Sequence, residues 1–309
     1  MRKCLVDWTN FKKALNAYYK DNSKFISCPK PPYYKKKLAQ VIFYNETIKR
    51  KPLKVGVITP TNNCFSIASN REFKQVIITP KKFGFIIEVQ YEIEKQKTKV
   101  NKKNGCFIDL GVNNLCAITS NQNLRPILIN GRIVKSINQY YNKYPTKQNL
   151  KKRYFRLENY FHHTSKYIID YCIQNNIGTI VIGRNEGWKQ NQNHGKRNNQ
   201  NFQSIPFYLL IQKIQYKAEL VGINVVFTEE SYTSKCSFFD KEEMCHKEKY
   251  PGKRQFRGLF VGTDGFAVNA DVNGSLNIGR KVIDKCSLTA SIVDRSVAAT
   301  PMMINPLKI

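Results

Sequence analysis

The sequence predicts a mixed α+β fold, in which a small N-terminal β-barrel precedes a mixed sheet with helices on both faces. Three observations carry this expectation. The 309 residues are 41% apolar, enough to bury a sizeable core in one large domain or two smaller ones. Up to about residue 98 the apolar residues come in short β-branched or aromatic runs separated by Pro, Asn and Lys turns. From residue 106 three such runs are followed by an alternation of helical and strand-like patterns.

Taken in order, a short helical opening precedes "QVIFY", "LKVGVITP", "FSIAS", "KQVIITP" and "FGFIIEVQYEIE", each a candidate strand of a small barrel or open sheet. The charged stretch "EKQKTKVNKKNG" (94–105) reads as a linker. "CFIDLG", "LCAITS" and "LRPILING" then read as an antiparallel meander. Over 146–175, Leu150, Tyr154, Leu157, Phe161, Ile168 and Cys172 recur at helical spacing, and the compact strand "GTIVIG" follows. A polar, Asn- and Gln-rich insert (185–204) precedes a Pro-initiated helix, "IPFYLLIQKIQYKAELVG", and the strand "INVVFTEE". Last comes "NADVNGSLNIGRKV", a helix whose first turn carries an acid. Three meander strands followed by α-β-α-β-α is the element order of a ribonuclease H-like domain.

The composition bounds the function. Lysine and arginine number 51 against 22 acids, a net charge of +29 that runs from "YYKKK" to "GKRQFRG", so a polyanionic partner is expected. With 17 Tyr and 18 Phe the spread charge suits nucleic acid, where cations neutralise phosphates and rings stack on bases. The nine cysteines form no paired framework, which points to a reducing compartment. No signal-peptide core or membrane-length apolar run is visible, so the expected location is the cytoplasm, associated with the nucleoid and with no membrane partner.

Metal-assisted phosphodiester cleavage needs several carboxylates converging on two divalent ions about 4 Å apart. Magnesium favours such hard oxygen ligands. Asp109 closes the first meander strand in "IDLGVNN", and Asp271 opens the last helix in "NADVNGSLNI". Singly, the first is a common turn residue and the second a common helix-start residue. Together, one at the first strand and one on the last helix, they occupy the two expected positions of a nuclease site.

The segments "GCFIDLGVNNLCAITS", "SYTSKCS" and "RGLFVGTDGFAVNADVNGSLNI" resemble the TnpB (OrfB) proteins of insertion sequences. These are compact RNA-guided DNA nucleases with a RuvC-like active site, related to type V CRISPR effectors and Fanzor proteins. The resemblance covers about 105–283 and implies two Mg2+ ions, a guide RNA and a target DNA. It implies a WED-like barrel over 1–98, N-terminally shortened, a RuvC-like nuclease domain over 99–285 and a tail over 286–309. It also implies an Asp-Glu-Asp triad, and here the chain departs from its relatives. Where most of them carry the glutamate, after the strand "TIVIG", this sequence has Gly183. Glu230, beside the Thr-Ser element in "EESYTSK", is the favoured replacement, as in Fanzor-like arrangements. Glu229 and Glu186 are the alternatives. Adjacent strand residues face opposite ways, so only one of Glu229 and Glu230 can face the metals in a regular strand.

Relatives also carry a zinc ribbon of two Cys-x-x-Cys pairs, at about 234–262 here. This chain keeps Cys236, has Phe239 three positions on, and offers only Cys245 and His246 beyond, so no structural zinc is expected. Phe238, Phe239, Phe256 and Phe260 are expected to pack there instead. Lys189, Lys196, Arg197, Lys253, Arg254 and Arg257 are candidate phosphate contacts, with Trp188 and Phe202 available to stack. His162 and His163 carry no expected catalytic role. The functional expectation is a transposon-associated RNA-guided DNA endonuclease using two metals. The alternative is a nuclease-inactive or truncated RNA-guided DNA-binding protein. A tyrosine transposase is disfavoured, because no tyrosine sits in a His-x-His setting.

Overall fold

The computed structural model describes residues 2–33, 38–81, 83–93, 98–184, 204–256, 258–283 and 293–308. Glu186, Lys189, Lys196 and Arg197, with Trp188 and Phe202, lie outside the described residues, as does Arg257. The chain divides into two compact units, Met1–Ile93 and Glu94–Ile309.

The first unit opens with α1 (Arg2–Lys20), 19 residues and so longer than the short helical opening anticipated. Its interior holds no Pro or Gly, and the Asp21 carboxylate accepts from the Ser23 amide to start the next turn. β1 (Val41–Tyr44), β4 (Gln75–Lys81) and β5 (Gly84–Gln90) form an antiparallel sheet in the order β1-β4-β5. Between them lie α2 (Arg50–Lys54) and the two-stranded ladder of β2 (Val57–Ile58) and β3 (Ile67–Ala68). "LKVGVITP", read from sequence as one strand, is broken by Gly56 at φ +75°, a left-handed turn that glycine adopts readily. Thus the described strands form two separate sheets, packed around Ile48, Ile58, Phe73 and Val76.

The second unit is built on six strands. β6 (Asn101–Leu110), β7 (Asn114–Ser120) and β8 (Ile127–Asn130) form the antiparallel meander. β6 already begins at Asn101, inside the segment read as a linker. Two helices follow, α3 (Arg132–Lys143) and α4 (Lys147–Gln174), of which only α4 was legible in the sequence. β9 (Ile177–Gly183) runs parallel to β6, α5 (Phe207–Leu220) crosses over, and β10 (Asn224–Thr228) runs parallel to β9. After α6 (Ala270–Val282), β14 (Met302–Ile304) pairs parallel with β8. Part of the stretch read as a tail is therefore an edge strand. The complete order is β10-β9-β6-β7-β8-β14.

Both faces of this sheet are covered, which is why its strands read as near-continuous apolar runs rather than alternating ones. On β6, Cys106, Ile108 and Leu110 join the core shared with Leu157, Phe161 and Ile168 of α4 and Leu210 and Ile214 of α5. Phe107 points the other way, into a second core with Val272, Leu276 and Ile278 of α6. The strand period of two therefore assigns Asp109, like Phe107, to the α6 face. Gly279 lets α6 lie this close: a Cβ there would come within 2.4 Å of the Phe107 ring. Gly279→Ala should destabilise the unit by about 1–3 kcal/mol through overpacking, more than the gain of up to about 1 kcal/mol from alanine's helix propensity. Chemical denaturation measures the difference.

Candidate active site

Three elements meet at one end of the sheet. β6 delivers Asp109 one residue before its end, α6 delivers Asp271 in its first turn, and the chain leaving β10 delivers Glu230. The placement of Asp271 is local: Asn269 caps α6, its Oδ1 accepting from the amides of Asp271 (2.9 Å) and Val272 (3.3 Å). A three-stranded antiparallel sheet leads into this helix, with β11 (Lys253–Phe256), β12 (Leu259–Val261) and β13 (Ala267–Asn269) in that order.

Asp109 sits under α6, where a Cβ on Gly274 would come 2.8 Å from Asp109 Oδ2. Burial pushes the Asp109 carboxyl well above its ordinary range, and the negative charges of Glu230 and Asp271 push the same way; Arg254 acts against them. Glu230 and Asp271 are thus both near enough for their charges to act on Asp109. Burial also pushes Glu230 up, to about 7, with Lys281 opposing. Asp271 is held from two sides: Asn114 Nδ2 donates to Oδ2 at 2.7 Å, and Arg254 Nη2 pairs with Oδ1 at 3.3 Å. Arg254, anticipated as a phosphate contact, is therefore engaged with an acid of the site, while Lys253 beside it is exposed.

The two adjacent glutamates separate as the strand period requires, although β10 already ends at Thr228. Glu229 is exposed and its carboxylate accepts from the Ser231 hydroxyl, whereas Glu230 is half-buried on the site side. Gly183 lies beside Glu230, in register with Thr228 across β9 and β10. A Cβ on Gly183 would meet Glu230 Oε1 at 2.6 Å and Glu230 Cγ at 2.7 Å. The glutamate of the second strand fills the space that a side chain on the first would need.

Among the described residues no three acidic, cysteine or histidine side chains form a ready metal cage. The donor set nevertheless fits a hard divalent cation. It consists of carboxylate oxygens, crowded enough that Asp109 is driven toward its neutral form and would ionise more readily beside a cation. Sequence reasoning missed Asn114 and the Arg254 pairing, because neither contact is local in sequence.

The region expected to hold a degenerate zinc ribbon packs around aromatic rings. Phe238, Phe239 and Phe260 are buried. Phe256 is not: it is 69% exposed on β11, all four residues of which are exposed, and Phe266 takes the packing role with its ring 4.9 Å from that of Phe239. Cys236 is buried and donates to the Glu243 carbonyl at 3.5 Å, while Cys245 is half-buried and His246 exposed. The Asp240 carboxylate accepts from the Thr263 amide (3.0 Å) and hydroxyl (2.7 Å), tying two turns together without a cysteine. His162 lies away from the site, its Nε2 2.7 Å from Lys213 Nζ between α4 and α5.

Gly183→Ala tests the shared space. The three crowded atoms, Glu230 Oε1 and Cγ and Ile278 Cδ1, all belong to flexible side chains. The variant is expected to fold, with the Glu230 carboxylate displaced from Asp109 in its crystal structure.

Comparison with known proteins fits this geometry. Residues 207–278, which include Glu230 and Asp271, match the family model described as Cas12f1-like, TNB domain. A curated relative from Sulfoacidibacillus thermotolerans, named CRISPR-associated endodeoxyribonuclease Cas12f1, is 35% identical over 126 residues, 40% of this chain and 27% of its own. Another, from Micrarchaeota archaeon (strain CG1_02_47_40), is named CRISPR-associated endodeoxyribonuclease Cas12f2 and is 26% identical over 260 residues, 76% of this chain and 45% of its own. The chain thus spans less than half the length of these relatives. A solved Cas12f1-sgRNA-target DNA complex contains a chain of the same fold, with a TM-score of 0.51 at 17% identity over 69% of this chain and 46% of that one. Among the described residues no helix is long and apolar enough to cross a membrane. By these matches the chain is similar to the Cas12f proteins over part of their length, in agreement with the TnpB-like motifs that its sequence carries.

Proposed function

We propose that the chain is a transposon-associated, RNA-guided DNA endonuclease whose second unit is ribonuclease H-like, with Asp109, Glu230 and Asp271 as its catalytic carboxylates. The observation that carries this reading is the exchange of space between Gly183 and Glu230 beside Asp109. Where the resemblance implies a glutamate at the end of β9 there is Gly183, and Glu230 fills the adjoining space from the chain that leaves β10. The sheet supports the fold assignment: an antiparallel meander whose first strand, β6, is flanked by β9 and then β10, both parallel to it. The endodeoxyribonuclease names of the relatives and the sgRNA-target DNA complex of the structural neighbour support guide RNA and target DNA as partners.

Asp109, Glu230 and Asp271 would hold Mg2+, binding it as carboxylates. Bound Mg2+ supplies an activated water and charge stabilisation for the leaving oxygen of a phosphodiester. The chain's own groups prepare for this. Asn114 orients Asp271, partial burial limits the access of bulk water to Asp109, and Arg254 brings positive charge beside the acids where a phosphate backbone would approach. A nuclease-inactive, RNA-guided DNA-binding protein is the second reading, favoured by one observation: both oxygens of Asp271 are engaged by protein groups.

The test is cleavage by the full chain with its co-purified RNA, sequenced to define a matching DNA, in the presence of Mg2+. Asp109→Ala, Glu230→Ala and Asp271→Ala should each lose more activity than the roughly 10–100-fold typical of residues that only support a ligand. The pair Gly183→Glu with Glu230→Gly should recover activity above either single change. A Glu230→Ala variant that cuts at the wild-type rate overturns the glutamate assignment. Binding of RNA and DNA without cleavage by any form selects the second reading.

A further inference from the structure

We infer that Asn273, Asn277 and Lys281 form a positioning ladder on α6 that holds the 229–238 segment in place and so presents Glu230 to Asp109. The inference rests on the reading of Glu230 as a metal-binding carboxylate and extends it to residues without metal-ligand chemistry of their own.

The three side chains stand at i, i+4 and i+8, one face of the helix that also carries Asp271. Lys281 Nζ donates to the carbonyls of Glu229 (2.9 Å) and Ser231 (2.8 Å). Asn277 Nδ2 donates to the carbonyls of Thr233 (2.9 Å) and Cys236 (2.8 Å). Asn273 Nδ2 donates to the Cys236 carbonyl (2.9 Å), and its Oδ1 accepts from the Phe238 amide (2.9 Å). The one intervening carbonyl nearest the site, that of Glu230, is taken from within the segment by the Thr233 hydroxyl (2.9 Å) and amide (3.2 Å). Tyr232 turns the chain through φ +64°, a conformation that costs a non-glycine residue energy unless its surroundings hold it.

This arrangement explains how a glutamate beyond the end of a strand can have a fixed position. Past Thr228 the sheet no longer fixes the backbone, and the helix takes over. Asn277 shows that stability alone does not account for the ladder. It is fully buried and its Oδ1 has no hydrogen-bond partner among the described residues, which is costly for a carboxamide. An apolar side chain of similar size would remove that orphaned oxygen together with the two donations. Asn277→Leu leaves the Cys236 carbonyl with Asn273 but takes the Asn277 donor from the Thr233 carbonyl, so its cost should fall on the Glu230 segment.

The experiment uses the full chain and Mn2+ alone as a probe of the carboxylate site, with binding read by calorimetry and by the Mn2+ paramagnetic resonance signal. Wild type, Glu230→Gln, Asn277→Leu and Lys281→Met are compared, and amide hydrogen exchange follows residues 229–238. Glu230→Gln should weaken Mn2+ binding outright. Asn277→Leu and Lys281→Met should weaken it by about 10–100-fold, as outer-shell partners do, with faster exchange in that segment and an unchanged exchange pattern on β6 and β9. Weak binding by Glu230→Gln with wild-type binding by Asn277→Leu and Lys281→Met overturns the ladder and leaves the carboxylate reading standing. Wild-type binding by Glu230→Gln overturns the carboxylate reading, and the positioning role with it. If exchange accelerates throughout the unit, the ladder serves general packing and the inference also falls.

Discussion

The distance between one helix and one strand governs this site. α6 lies on β6 so closely that neither Gly274 nor Gly279 has room for a side-chain carbon, the first facing Asp109 and the second Phe107. At ordinary helix-sheet separation the first turn of α6 would carry Asp271 away from Asp109. Phe107 fixes the approach from the strand side, and the hydroxyl of Ser275 completes it by donating to the Phe107 carbonyl at 2.8 Å. A buried hydroxyl with a partner replaces what would otherwise be a desolvation cost.

Such crowding concentrates negative charge in a protein with a large positive excess. The surrounding groups share the task of tolerating it: Arg254 and Asn114 at Asp271, and Lys281 near Glu230. Of these only Arg254 also favours the charge on Asp109, and it does not outweigh the burial and the two neighbouring acids that disfavour it. The site therefore lacks charge compensation at its centre while its rim is well provided. That imbalance agrees with the proposed role of the acids as ligands of a cation.

Much of this was legible in the linear sequence, for identifiable reasons. The positions of Asp109 at a strand end and Asp271 in the first turn of the last helix were legible because the order of elements is written in the apolar pattern. The buried strands β6, β7 and β9 were clear because a strand covered on both faces must be apolar along its whole length and end in turns. α3 was missed although Ile133, Val134, Ile137 and Tyr141 recur at helical spacing; it has only 12 residues and follows β8 almost directly. β14 was missed because three residues at a sheet edge carry almost no pattern. Phe256 was misjudged because composition cannot distinguish an exposed edge strand from a packed one. The pairing of Arg254 with Asp271 and the spatial relation of Gly183 to Glu230 are tertiary facts that no local pattern encodes.

The Gly183–Glu230 relation has a historical consequence. Because the two positions compete for one volume, a lineage passing from one arrangement to the other must cross a form with two acids crowded into a single space or a form with none. The first is sterically burdened and the second lacks the acid altogether, so neither is a comfortable resting point. On the proposed reading of Glu230, descendants should therefore fall into two separate groups according to which strand supplies the acid, with few sequences between them.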